Sequence, residues 1–522
     1  MIPATSAPDR PPSSVLRKLL VGTFWYGLKS PLQVVLAFWS IPLIQHAIGS
    51  EANGAYVFAW GFGFLGWILE FGMNSALQRQ VTDAWSRGDR AGVDRLIACG
   101  TTYYAAMSLV QVALLGAIAT FGLPPKFQGE SRRLIVGLLW LQAFSSPFFG
   151  LLNVITSVLQ AARRYDFLPR LDLVVVVSRF AILVLGLRAG VDFFAIVVAQ
   201  MTLHLAILLT PSLRVMVHEL GFVPHFGSAR RADYATLLQV GVYVFLIQLS
   251  IALGDKVDTT VLGYALAEAD PGPSITVYQN VSKPFLQIRQ TGWTLSHLIL
   301  PAVASLAAAR DVSGLERIKY DGPRLLIGVL APVALLAGIY AGPFLCLWVG
   351  PQYAPYAPLL QLFLVATLPL MLWVHAQMAI GMGRADLVAL PLLVGSLVNL
   401  PLSYVLTTRL GVSGVIWGTV LTTLVANLLV LGVGLFRLLG IRPTTFLVRT
   451  LSAPLLGAAF LVATTWACRA VLSPDPAGTT PATRSLPLII HLTLGSLAYL
   501  AGYLATPVGR ADLVALARLR RR

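Results

Sequence analysis

The sequence predicts an all-α, polytopic membrane protein of about 14 transmembrane helices, and three observations predict it. Hydrophobic residues make up 57% of the 522 and charged residues 11%, with a mean hydropathy of +0.76. A soluble chain of that composition could not cover its apolar surface. Apolar runs of about 20 residues recur along the whole length, each long enough to cross ~30 Å of hydrocarbon as a helix. They are continuous rather than alternating, and a helix satisfies its own backbone N–H groups in lipid. Finally, one block occurs twice. Tyr56/Tyr278, Val81/Val303, Asp89/Asp311, Gly92/Gly314 and Arg95/Arg317 all lie 222 positions apart, and Asp94/Glu316 keeps its charge at the same spacing. Arg164/Arg384 and Asp166/Asp386 recur at 220. A near-constant offset along half the chain indicates two similar halves.

Taken in order, residues 1–16 are polar and proline-rich, with no apolar segment beside a small-residue cleavage site. They read as a cytoplasmic tail rather than a signal peptide. Hydropathy then places spans roughly at 19–45, 54–78, 96–121, 134–160, 168–187 and 192–213. Residues 217–233 form the longest charged connection, too short for a soluble domain. A second set follows at roughly 235–264, 274–302, 323–348, 357–382, 386–408 and 412–436, and a final pair at 446–471 and 486–506. The expected organisation is an N-terminal six-helix lobe over 1–216, a cytoplasmic linker over 217–233, and a C-terminal six-helix lobe over 234–440. Two additional helices and a basic tail occupy 441–522. Six is even, so both lobes enter the membrane in the same direction. That predicts parallel repeats about an axis normal to the membrane.

Positive charge sets the orientation. With the N-terminus cytoplasmic, 26 Lys and Arg residues lie inside and 7 outside, as the positive-inside rule requires. Both termini are then cytoplasmic. The net charge of +16 is therefore topology rather than nucleic-acid binding, and Arg518, Arg520, Arg521 and Arg522 read as a leaflet anchor.

Five basic residues remain at membrane depth: Lys29, Arg179, Lys256, Lys283 and Arg289. Each would cost ~2.5–3.5 kcal/mol facing lipid, so a wet interior is their expected environment. Glu70, Asp255, Asp258 and, nearer a span end, Asp172 lie at similar depth. On span eight, Gln279, Lys283, Gln287, Gln290 and Thr294 share a stripe about 80° wide, with Arg289 to one side. Span one carries Tyr26, Ser30 and Gln33 on one face, with Lys29 at its edge. Span two carries Trp67, Glu70, Asn74 and Gln78. Span seven carries Gln248, Asp255 and Thr259, with Asp258 beside them. On span five, Asp172 and Arg179 lie two turns apart. Spans one, two, seven and eight are equivalent in the two halves, and their polar faces describe a cleft between the halves. The alternatives are structural: Asp255, Lys256 and Asp258 could neutralise one another, and Glu70 could be a hydrogen-bonded structural acid instead of a proton site.

Gly411, Gly414 and Gly418 read as close-packing positions. Pro42, Pro284, Pro301, Pro369, Pro391 and Pro401 read as helix bends. Cys99, Cys346 and Cys468 are scattered and support neither a disulfide framework nor a metal site. The seven histidines show no ligand or triad spacing, and no paired-carboxylate or Ser/His/Asp arrangement is supported.

Three stretches resemble a known family. They are Pro42-Leu43-Ile44 through Ile48-Gly49-Ser50-Glu51-Ala52-Asn53-Gly54-Ala55-Tyr56 and on to Phe71-Gly72-Met73-Asn74-Ser75-Ala76-Leu77; Asp258-Thr259-Thr260-Val261-Leu262-Gly263 followed by Tyr278; and Leu347-Trp348-Val349-Gly350-Pro351-Gln352-Tyr353. Together they look like the polysaccharide transporters of the MOP superfamily, the Wzx-type flippases related to MATE exporters. The resemblance implies a MATE-like pair of lobes around a V-shaped cavity. It implies an undecaprenyl-diphosphate-linked oligosaccharide, moved from the cytoplasmic to the periplasmic leaflet of a bacterial inner membrane, with coupling to an ion gradient. A pyrophosphate needs cations in a low-dielectric setting. On that reading Lys29, Arg179, Lys256, Lys283 and Arg289 hold it, Gln279, Gln287 and Gln290 meet sugar hydroxyls, and Glu70, Asp255 and Asp258 couple the ion. No cofactor, metal or covalent chemistry is expected. The expected partners are the lipid-linked oligosaccharide, membrane lipids and polysaccharide polymerase machinery, without nucleic acid. Two alternatives stay open. A MATE-type cation exporter would want a net acidic cavity. A membrane glycosyltransferase or polysaccharide ligase would want catalytic acids or a histidine on a sizeable outer loop, and the first outer loop holds little beyond His46 and Glu51.

Overall fold

The computed structural model describes residues 13–164, 167–227, 231–268, 270–471 and 481–519, and every regular element among them is helical. The chain forms two compact units, Met1–Phe245 and Leu246–Arg522. Eleven helical segments among the described residues are long and apolar enough to cross a membrane. That number differs from the expected 14 for identifiable reasons. The first segment, Gly27–Glu70, covers two expected spans. Phe167–Arg188 is helical as expected but carries Arg170, Asp172 and Arg179 within its apolar length, and within the helical Arg231–Ala265 the fully described apolar stretch is the shorter Phe245–Gly254.

In the N-terminal unit, α1 (Ser13–Gly61) has 49 residues. A straight helix of that length would be about 74 Å, far more than a bilayer. The chain turns at Gly49, with φ 77° and ψ 171° inside the helix, a conformation glycine adopts without the Cβ penalty. It then runs through α2 (Phe64–Glu70), α3 (Met73–Ser86), α4 (Arg90–Ala117), α5 (Gly129–Ala161), α6 (Phe167–Arg188) and α7 (Phe193–Arg214). Span two, expected as one helix over 54–78, is interrupted. Phe71 and Gly72 both adopt positive φ, 46° and 70°, and separate α2 from α3. The freed carbonyls find a partner: the Tyr103 hydroxyl donates to the carbonyl of Leu69 at 2.9 Å and of Glu70 at 3.4 Å. A buried cluster including Met73, Leu77, Val81, Ile97 and Val158 holds α3, α4 and α5 together.

The second unit begins within α8 (Arg231–Ala265) and continues through α9 (Gly272–His297), α10 (Leu300–Ala308), α11 (Val312–Ile339), α12 (Ala341–Trp348), α13 (Ala357–Val365), α14 (Trp373–Gly381), α15 (Ala385–Leu410), α16 (Val412–Thr422), α17 (Gly432–Leu439), α18 (Pro443–Phe446), α19 (Ser452–Val471), α20 (Pro481–Ala505) and α21 (Pro507–Leu519). Three further expected spans are broken, one of them, over 323–348, at Tyr340 between α11 and α12. The span expected over 274–302 parts at Leu298–Ile299, just ahead of Pro301, and that over 357–382 is interrupted by a 3-10 turn around Pro369. A proline cannot donate to the helix ladder and clashes with the preceding turn. Pro42, Pro284, Pro391 and Pro401 instead lie inside continuous helices.

The duplicated block has one local structure in both units. The Asp89 side chain accepts from Gly92 N at 2.8 Å and caps α4, and Asp311 accepts from Gly314 N at 3.0 Å and caps α11. Both capped helices are 28 residues long. The preceding turn matches as well: Gly88 and Arg310, 222 apart, have φ of 72° and 53°. Asp89 N donates to the carbonyl of Ala84 at 3.0 Å, and Asp311 N to that of Leu306 at 2.9 Å. At the 220 spacing, Arg163 and Gly383 share positive φ. Arg164 N reaches the carbonyl of Leu159 at 3.0 Å, and Arg384 N that of Ala379 at 2.8 Å. Asp166 lies outside the described residues.

Candidate functional site

The N-terminal unit holds Lys29, Glu70 and Arg179. Lys29 on α1 donates to the Asp172 carboxylate on α6 at 2.7 Å. Lys29 was expected to offer a cation to an anionic ligand; its charge is instead offset by a carboxylate 143 positions away. Both side chains are partly accessible, at 20% and 34%, so the pair is not sealed inside the unit. Tyr26 and Ser30, expected on the same face, have side chains outside the described set. Two turns along α6, Arg179 is half-buried and makes no ion pair with a described carboxylate. Its backbone carbonyl accepts from Gln200 Nε2 at 2.7 Å. The charges of Arg179, Asp172 and Lys29 all act on His204 of α7, whose ring meets Phe149 edge-on at 5.5 Å. Arg179 also acts on Tyr56. Sequence spacing singled out neither His204 nor Gln200. Tyr56 did carry a signal, as the first member of the repeat pair.

Glu70 ends α2 immediately before the left-handed Phe71. Asn74 and the Tyr104 hydroxyl flank its carboxylate. The expected line Trp67–Glu70–Asn74–Gln78 is therefore no single helical stripe, because the break at Phe71–Gly72 separates its halves. Glu70 instead borders a cavity of about 370 Å³ shared with Trp67, Ser108, Gln111, Gln142 and Asn153.

The C-terminal unit holds the rest. Asp258 on α8 is 1% exposed. Its Oδ2 accepts from the Tyr278 hydroxyl of α9 at 2.7 Å and from Thr419 Oγ1 of α16 at 2.9 Å. Asn399 of α15 lies beside the carboxylate and donates to Thr419 Oγ1 at 3.4 Å, while Ser403 Oγ donates to Asn399 Oδ1 at 2.8 Å. Four helices thus converge on one carboxylate. Gly414 and Gly418 allow this approach: a Cβ on Gly418 would fall 2.2 Å from Ser403 Oγ, and one on Gly414 would fall 2.3 Å from the backbone of Leu406. Asp258 makes no ion pair among the described residues, and the local neutralisation of Asp258 by Lys256 does not form. The Asp255 side chain lies outside the described set.

Lys256 and Lys283, on α8 and α9, are close enough that the charge of Lys256 acts on Lys283. Lys256 is exposed, Lys283 half-buried, and neither makes an ion pair with a described carboxylate. Like charges on neighbouring helices repel in a medium of reduced dielectric. The Gln279, Lys283, Gln287, Gln290 and Thr294 positions all fall within the unbroken α9, on its more accessible face. Val281, Phe285 and Ile288 bury the other face. The Arg289 guanidinium lies over the Phe285 ring at 5.3 Å. Among the described residues no group of His, Cys, Asp and Glu could hold a metal, and the three cysteines are free.

No family model matches the chain. It is 24% identical over 451 residues to the uncharacterized membrane protein EpsK of Bacillus subtilis strain 168, covering 82% of this chain and 85% of that protein. Among solved structures, the inward closed conformation of the lipid II flippase MurJ superimposes with a TM-score of 0.69 at 14% identity, over 94% of this chain and 99% of that one. An inward-facing MATE multidrug transporter of the MOP superfamily gives 0.56 at 15% identity, over 82% and 99%. At such identities the likeness establishes the fold: this is a multi-pass membrane protein with the fold of MurJ and the MATE transporters.

Proposed function

We propose that the protein is a flippase that moves an undecaprenyl-diphosphate-linked oligosaccharide across the bacterial inner membrane by alternating access, for surface polysaccharide biosynthesis, with no covalent chemistry. The observation that carries this reading is the Lys256–Lys283 pair. Cations at membrane depth are retained where something uses them, and two lysines on neighbouring helices, neither ion-paired with a described carboxylate, suit a doubly charged ligand such as a pyrophosphate. Arg289 adds a third cation on α9, Arg179 is a cation of the N-terminal unit assigned to the same cargo by its charge alone, and Gln279, Gln287 and Gln290 supply donors and acceptors for sugar hydroxyls along α9. Lys29 drops to a lesser role, because Asp172 already offsets its charge. Asp258, held by neutral donors, is the better-built coupling acid, with Glu70 second. The MurJ likeness supports a lipid-linked cargo, since that relative is a lipid II flippase; the MATE likeness supports the alternating-access carrier.

The test is surface polysaccharide output in cells carrying Lys283→Ala or Lys256→Ala at normal protein level. Loss of polymer, with partial retention in Lys283→Arg, supports the assignment. Unchanged output from both alanine variants removes the pair from the cargo site.

A further inference from the structure

A groove of about 620 Å³ opens on the surface of the C-terminal unit where α17 ends and α18 begins. Its walls are apolar, with Met371, Leu428, Val433 and Phe436 among them, and its rim carries Arg437 and Arg442. Val433 is 49% exposed, so the groove opens outward. Leu428 and Arg437 are nine residues apart along the chain, about 14 Å at a helical rise of 1.5 Å per residue. That is close to half of a ~30 Å hydrocarbon core, so the groove is about as long as one leaflet is deep, with its two arginines at one end.

The two arginines differ from their basic neighbours. Lys319 pairs with Glu316 and also donates to the Leu439 carbonyl. Arg324 pairs with Asp512 and Asp321. Arg437 and Arg442 are exposed, make no ion pair with a described carboxylate, and share the groove with no acidic residue. Two guanidinium groups above an apolar slot of leaflet depth complement one kind of occupant: a phosphate monoanion carrying acyl chains.

We infer that this groove is a binding site for an anionic phospholipid, with the headgroup phosphate held between Arg437 and Arg442 and an acyl chain lying along Leu428, Val433 and Phe436. The site is separate from the Lys256–Lys283 pair and independent of the cargo assignment. Hydrocarbon burial supplies affinity and the arginines supply selectivity over zwitterionic lipid.

The experiment is thermal unfolding of the purified full chain in nonionic detergent, titrated with dioleoylphosphatidylglycerol, dioleoylphosphatidylcholine or inorganic phosphate at constant ionic strength. Phosphatidylglycerol should raise Tm at concentrations where phosphatidylcholine and phosphate do not. R437Q/R442Q should move the titration midpoint to roughly 25-fold higher concentration, taking about fivefold per arginine. Both side chains are exposed, so the lipid-free Tm of this variant should match the parent. V433W, which fills the groove without changing charge, should also raise the midpoint. Three results would overturn the site: equal shifts from both lipids, a full shift from phosphate alone, or a parental midpoint in both R437Q/R442Q and V433W.

Discussion

The Tyr278 hydroxyl donates to the Asp258 carboxylate at 2.7 Å, deep in the C-terminal unit. Tyr278 is also the repeat partner of Tyr56 by sequence position. A carboxylate 1% exposed with only neutral donors around it is costly unless those donors are all in place. Tyr278→Phe removes one. We expect a destabilisation of about 1–3 kcal/mol, read as a lowered Tm of the purified protein. Asp258→Asn keeps the shape and removes the charge. Transport by that variant should lose its dependence on an ion gradient while the fold persists; an unchanged dependence would take Asp258 out of coupling.

The Lys29–Asp172 pair makes a different prediction. Lys29→Ala leaves Asp172 without its partner, and Asp172→Ala leaves a lone ammonium. Each single variant should therefore be less stable than additivity with the double variant predicts, by on the order of 1 kcal/mol. The partial accessibility of both groups keeps that coupling modest. A double-mutant cycle on Tm measures it, and an additive cycle would show that the contact is incidental.

Helix packing around Asp258 leaves no room for a methyl group on α16. Gly418→Ala should cost about 1–3 kcal/mol through overpacking, because the added carbon meets Ser403 at 2.2 Å. Gly383→Ala is a useful contrast. Nothing lies within 4 Å of its added carbon, so its cost comes only from a φ of 81°. Thermal melts of the pair separate steric from backbone strain.

Outside the membrane, the Gly314 amide and the Ser313 hydroxyl hold the Asp311 carboxyl below its ordinary value of 3.8. The folded pKa is depressed, so the stabilisation is present above the ordinary carboxyl range and is lost as pH falls through the folded value. The Tm difference between the parent and Asp311→Asn should therefore be largest near neutral pH and should shrink below about pH 4. A difference that grows on acidification would contradict the capping role.

Arg324, 4% exposed, makes two bonds to Asp512, of 2.8 and 2.6 Å, and a third to the Arg449 carbonyl at 2.8 Å. This ties α21 to α11. Asp512→Ala leaves Arg324 with Asp321 and the Arg449 carbonyl, at a cost of about 3 kcal/mol. Limited trypsin digestion should then cut at Arg510 faster than in the parent.

Local periodicity carried much of this protein. The continuous apolar runs, the polar face of α9, the two capping aspartates and the close-packing glycines of α16 all follow from relations within a few residues. The 222 spacing even marked equivalent hydrogen bonds, because matching caps need matching residues. Interruptions inside expected spans were harder to read. Phe71 offers no local reason to adopt a left-handed conformation, whereas Pro301 and Pro369 did flag their breaks.

What the amino-acid order determined alone was therefore the membrane-spanning helical class, the internal duplication and the set of charges at membrane depth. Tertiary structure decided which of those charges are spent. It gave Lys29 a carboxylate 143 positions away, and it gathered Tyr278, Asn399 and Thr419 around Asp258 while leaving Lys256 beside Lys283. The reason is geometric. A helix fixes the direction of a side chain from its near neighbours, but whether a charge meets a partner depends on which distant helix packs against that face.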